Sequence, residues 1–179
     1  MSLLNQKTNK KELKNDHYQT PYYAIEPLLK YIPKNFEIYD PACGEGKIVE
    51  FFRLHGFLTW GTDIINHPVL GKTDFLQTNV WTKNNCAIVT NPPFSLKTEF
   101  LEKAFEFKMP FAFLMNITSI ETQRRQKIFQ NAGMQLLLPN KRISYIVDGV
   151  QTNSSWFYSA WFLFGFNLES NINYVEINK

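Results

Sequence analysis

The chain has 179 residues, a length that predicts one domain rather than two, since domains typically run to about 100–150 residues. Hydrophobic residues make up 44%, aromatics 16% and charged residues 20%, ordinary globular usage that excludes intrinsic disorder and collagen-like repeats. The net charge of +3 and a pI of about 8.8 permit a polyanionic partner without demanding one, and two cysteines, Cys43 and Cys86, exclude a disulfide framework.

No basic start followed by an apolar run reads as a signal peptide, so a cytoplasmic protein is expected. Residues 1–16 carry Lys7, Lys10, Lys11 and Lys14 against Glu12 and Asp16, with no apolar period. They are expected to form a flexible basic leader ahead of a single domain over 17–179. Thr20-Pro21 marks a helix start, because a Thr hydroxyl can accept from the first-turn amides and Pro needs no N–H there. Ile25, Leu28, Leu29 and Ile32 follow at helical spacing, and Pro27 among them predicts a kink or restart. Phe36-Glu37-Ile38-Tyr39 alternates as a short strand ending at Asp40, and Ile48, Val49, Phe51 and Phe52 supply the apolar face of the next helix.

The unit then repeats. Leu58 to Thr62 reads as a strand ending at Asp63, Cys86 to Thr90 as a buried strand ending at Asn91, and Phe111 to Met115 as a further strand. Helix faces come from Phe100, Leu101, Ala104 and Phe105, and from the amphipathic basic stretch Ile120 to Ala132 with Arg124, Arg125 and Lys127. Met134 to Leu138, Phe157 to Phe166 and Tyr174 to Ile177 complete the strand candidates. Strands alternating with helices imply an α/β fold, a mostly parallel sheet covered on both faces, whose last pair of strands runs antiparallel. The richest apolar stretch, Trp156 to Phe166, is too short for a bilayer span of about 20 residues, so no membrane partner is expected.

In open sheets of this kind ligands sit beyond the carboxyl ends of the strands, which puts Asp40, Asp63 and Asn91 on one rim. The turn Asp40-Pro41-Ala42-Cys43-Gly44-Glu45-Gly46 lets backbone pass close to a ligand. It lacks the third glycine of the dinucleotide fingerprint and the Gly-Lys-Ser/Thr of a P-loop, which disfavours phosphate. A carboxylate beside open backbone instead suits a sulfonium or an ammonium. Asp63 stands 23 residues beyond Asp40, near the offset at which an acidic residue accepts from a ribose diol, and is equally readable as a cap. Asp74-Phe75 offers an acceptor and an apolar face. Asn91-Pro92-Pro93-Phe94 is the sharpest signal: two prolines fix the backbone, so the Asn91 side-chain oxygen and the Pro92 carbonyl converge beside an aromatic plane. Two fixed acceptors and a ring suit a planar amino group on a heterocycle. His17, His55 and His67 are scattered, and no metal site is expected.

The turn at 40–46, Asp63, Asn91-Pro92-Pro93-Phe94 and the upstream Tyr18-Gln19-Thr20-Pro21 together resemble the S-adenosyl-methionine-dependent adenine-N6 methyltransferases of bacteria and phage. The resemblance covers roughly residues 17–165. It implies a Rossmann-like class I methyltransferase fold, with a seven-stranded sheet whose last strand is antiparallel and helices on both faces. It further implies that Asp40, Pro41, Ala42, Cys43, Gly44 and Gly46 surround the methionine part of S-adenosyl-methionine, with Asp63 on its ribose. Asp74 and Phe75 would lie near its adenine, and Thr20 and Pro21 would close over its methionine end. The implied substrate is a nucleic acid, DNA before RNA, whose target base is flipped out to stack on Phe94. A protein glutamine amide, or a non-catalytic role in a larger complex, are the alternatives.

Arg124 and Arg125 are the expected phosphate contacts on the basic helix. Lys141 and Arg142 suit phosphate contact or solvated surface equally. Trp156 is a candidate second stacking wall, whereas Trp161 and Phe162 read as core. The length leaves little room for a separate target-recognition domain, so a recognition subunit or a second copy is a candidate partner.

Overall fold

The computed structural model describes residues 18–65, 70–79, 85–153 and 155–178; the basic leader expected over 1–16, with His17 and His67, lies outside the described residues. In chain order the strands are β1 (Glu37–Asp40), β2 (Thr59–Asp63), β3 (Gly71–Lys72), β4 (Cys86–Thr90) and β5 (Phe111–Asn116). They continue as β6 (Gln135–Pro139), β7 (Ile146–Val147), β8 (Val150–Gln151), β9 (Ser159–Phe164) and β10 (Ile172–Val175). The α-helices are α1 (Tyr22–Ile25), α2 (Lys47–Leu54), α3 (Lys97–Glu106) and α4 (Gln123–Ala132). None of the described helices is long and apolar enough to cross a membrane.

Eight strands form the main sheet in the order β10-β6-β9-β5-β4-β1-β2-β3, and β7 and β8 form a separate hairpin. β1 pairs parallel with both β2 and β4, so the chain leaves β1 in opposite directions on its two sides. That reversal opens a crevice at the carboxyl ends of β1 and β4. β9 runs antiparallel between β5 and β6. The sheet therefore departs from seven strands with an antiparallel last one: the antiparallel strand is β9, and β10 adds an eighth at the edge, parallel to β6. Residues 135–139 lie between β9 and β10, a non-local pairing that strand patterns alone cannot order.

Alternation along the central strands divides the core. Ala87, Val89, Ala112 and Leu114 face Ala24, Ile25, Phe51 and Phe52 of α1 and α2. Cys86, Ile88, Phe111 and Phe113 face Phe100, Leu101 and Ala104 of α3. Every residue of β4 is buried, as its unbroken apolar run requires of a strand covered on both faces. The expected restart at Pro27 is present, since α1 ends at Ile25 and a 3-10 turn over Glu26–Lys30 carries Pro27 in its first turn. Thr20, however, makes no cap: Pro21 holds the N-cap position of α1 and no side chain bonds to the first-turn amides.

Candidate cofactor and target site

A cavity of about 310 Å³ opens at the crevice, lined by the β1 turn, the end of β2, residues 74–76, the Asn91 turn and the entering strap Tyr18-Gln19-Thr20. The β1 turn is held by backbone bonds: the Ala42 amide donates to Asp40 Oδ1 (3.2 Å) and the Cys43 amide to the Thr62 carbonyl (3.1 Å). Gly44 adopts φ +50°, and its amide donates to Asp63 Oδ2 (2.9 Å). A side chain there would meet the Gln19 amide at 2.3 Å, because Gln19 lies across the turn and its Oε1 accepts from the Glu45 amide (3.3 Å). Asp63 Oδ1 accepts from the Ile65 amide (3.0 Å), so each carboxylate oxygen of Asp63 already ties one loop. The cap and the ligand acceptor are thus compatible readings of one residue, since each oxygen keeps a further lone pair.

Asp40 is only 1% exposed. Burial pushes its carboxyl up to about 7, the Ala42 amide opposes the shift, and the Asp63 charge adds to it. Burial likewise pushes the Cys43 thiol up to about 12, helped by Asp40 and Asp63, which makes it a wall and not a nucleophile. Thr20, 2% exposed, lines the cavity with a buried Oγ1 that has no hydrogen-bond partner. Asp74 lines it too and caps a 3-10 turn by accepting the Leu76 amide at Oδ1 (3.0 Å). Phe75 is buried against Phe100 and Tyr39. Pro21 and Gly46 do not line the cavity; Gly46 is the left-handed N-cap of α2.

Asn91 and Pro93 line the target end of the cavity. The Asn91 side-chain amide donates to the Tyr18 carbonyl (2.8 Å), while its Oδ1 is buried without a partner. Pro92 is buried beneath them. Phe94 turns out of the cavity into an aromatic cluster, stacked on Tyr18 (5.5 Å, 27°) and edge-on to Phe157 (5.2 Å).

The residues missed in sequence are the strap Tyr18 and Gln19 as wall and tie, and an apolar side made by Ile64, Ile65, Leu96 and Phe100. Exposed apolar residues directly after a strand-end acid were the available signal at Ile64 and Ile65.

The basic helix requires correction. Arg125 is 9% exposed, donating through Nε to the Ser119 carbonyl and through Nη1 to Thr98 Oγ1 (2.8 Å). It locks α4 to α3 and cannot reach a phosphate. Arg124 is exposed but spans to Glu99 and Glu102 of α3. Lys141 and Arg142 are exposed beyond the carboxyl end of β6, and Trp156 is exposed just before β9. His55 bonds through Nδ1 to the Phe51 carbonyl (2.8 Å) at the end of α2, away from the cavity lining.

This sheet order with one antiparallel strand, and a glycine turn closing the crevice, define the class I methyltransferase fold. A Listeria monocytogenes protein assigned to the class I S-adenosylmethionine-dependent methyltransferases is 15% identical, with a TM-score of 0.59 over 92% of this chain and 67% of that one. An Archaeoglobus fulgidus S-adenosylmethionine-dependent methyltransferase is 11% identical, with a TM-score of 0.53 over 80% of this chain and 92% of its own. A Plasmodium falciparum dimethyladenosine transferase is 12% identical, with a TM-score of 0.54 over 84% of this chain and 63% of its own. The sequence matches no family model and no curated protein.

Proposed function

We propose that this chain transfers a methyl group from S-adenosyl-methionine to the exocyclic N6 amine of adenine in a nucleic acid, DNA before RNA. The observation that carries the reading is the buried, unpartnered Oδ1 of Asn91, aimed by the bond its own nitrogen donates to Tyr18. An acceptor held this way lacks only a donor, and an adenine amine presents two. DNA is favoured on the resemblance of the turn at 40–46 and of Asn91-Pro92-Pro93-Phe94.

The residues present fit the cofactor. Asp40 sets a carboxylate under the turn, and the orphaned Thr20 hydroxyl offers a hydrogen bond to the charged methionine end. Asp63 accepts from the ribose hydroxyls, while Phe75, Leu76 and Phe100 give the apolar side for a base. When bound, S-adenosyl-methionine supplies an electrophilic methyl carbon on a positively charged sulfur. Asn91 Oδ1 and the Pro92 carbonyl take the two hydrogens of the target amine, localising its lone pair and aligning it. This contribution is positional and electrostatic, with no protein base required.

Methyl-tritiated S-adenosyl-methionine offered with DNA, RNA and protein in parallel tests the reading. The expected product is N6-methyladenine in DNA. Label in RNA adenine would keep the chemistry and change the polymer. Label in a protein amide, or no transfer despite cofactor binding, would overturn it.

A further inference from the structure

Trp156 is 82% exposed, yet it stands on the rim of the site. Its ring lies edge-on to Phe157 (5.2 Å), and Phe157 in turn lies edge-on to Phe94. Phe157 therefore separates Trp156 from Phe94, which removes Trp156 as an inner wall of a slot for the target. The segment bearing it is tied down on both sides: the Tyr158 hydroxyl donates to the Pro139 carbonyl, and the Ser155 amide to the Ile143 carbonyl (3.3 Å). Those two bonds bracket Lys141 and Arg142, so one ledge presents an indole face and two exposed cations. The ligand that matches is flat and apolar on its face and anionic along its edge, which describes a nucleotide.

We propose that Trp156 is the stacking platform for the nucleobase adjoining the target, with Lys141 and Arg142 on the connecting phosphates; this rests on the nucleic-acid reading above. A base drawn into the cavity leaves its neighbour with one face unstacked, and an indole fixed on the ledge covers that face.

A random-sequence single-stranded DNA and an abasic deoxyribose-phosphate strand of equal length carry the same charge with and without bases. Fluorescence anisotropy of the labelled strands with the full chain is expected to favour the base-bearing strand. Trp156→Ala should shrink that preference by about fivefold or more, the scale of one base–aromatic stack. Its affinity for the abasic strand should stay at the wild-type level, which a misfolded variant would not manage, and Trp156→Phe should keep most of the preference. A Trp156→Ala variant with the full preference overturns the proposal; if it still methylates nucleic acid, the reading of the site stands without it. Wild-type protein that binds neither strand overturns both.

Discussion

At Asn91 the side-chain nitrogen is committed to the Tyr18 carbonyl, which leaves Oδ1 buried without a donor. Such an orphan costs about 1–3 kcal/mol in the resting protein, a cost relieved when an amine arrives. Asn91→Ala is expected to slow single-turnover methyl transfer about 10²–10³-fold, the loss seen when one fixed transition-state partner is removed. Cofactor affinity by calorimetry should stay near the wild-type value; matched losses of rate and affinity would sink the assignment. Asp40 makes a separate, pH-dependent prediction. Its folded-state carboxyl titrates at about 7 against a usual 3.8, because burial disfavours the charge. Between those values the folded chain holds a proton that the unfolded chain has lost, so stability falls as pH rises through that window, and the penalty is complete above 7. Asp40→Asn should therefore be more stable than wild type at pH 8 by up to about 4 kcal/mol, with the gap shrinking toward pH 4. Urea midpoints across that range would show it, and a gap independent of pH would contradict it. A cationic ligand reverses the balance: its affinity for the wild-type chain should weaken as pH drops below 7, and Asp40→Asn should lose that dependence.

The glycine turn and β2 meet closely enough for one methyl group to matter. A Cβ at Gly61 would stand 2.8 Å from both Cys43 Cβ and Val49 Cγ2, the first in the turn and the second on α2. Neither atom lies at the end of a long side chain, so the turn itself must shift. Gly61→Ala is expected to cost about 1–3 kcal/mol in urea unfolding and to weaken cofactor binding with it; a stable variant with intact binding would mean that the turn can move freely. Elements of this kind were legible to different degrees. β1, β2, β4 and β5 carry apolar runs that stop at a polar residue, so both their existence and their shared rim could be read directly. β3, β7 and β8 are two residues each, too short for any periodicity to register. The wrong turn was taken at Arg125, where charge outweighed spacing. Arg125, Ile128, Phe129 and Ala132 recur at helical intervals, which marks Arg125 as facing inward with the apolar set. Within the candidate site, Asp40, Asp63 and Asn91 were placed by strand ends. The strap Tyr18-Gln19 could be quoted as a segment, but its crossing of the turn depends on the Gln19–Ile146 bridge, a contact between distant parts of the chain.

On the scale of the whole molecule, a net charge of +3 is too small to hold a polyanion without local concentration, and the structure relocates where that concentration lies. α4 looked like the basic face, yet Arg125 is consumed inside and Arg124 is neutralised by Glu99 and Glu102. The ledge after β6, with Lys141 and Arg142 beside Trp156, is on the same rim as Asn91 and is anchored to the sheet through Tyr158. Cations that neutralise phosphates release counterions, so each contributes to the steepness with which affinity falls as salt rises. Replacing both Lys141 and Arg142 by Ala should lower the slope of log affinity against log salt by about 2, roughly one for each lost phosphate contact. Arg124→Ala, already paired within the fold, should leave the slope unchanged. Trp156→Ala should shift the whole line to weaker binding without altering its slope, because stacking releases no counterions. Titrations of one single-stranded DNA at several salt concentrations separate these effects. An unchanged slope in the double variant would place the phosphate path elsewhere on the rim.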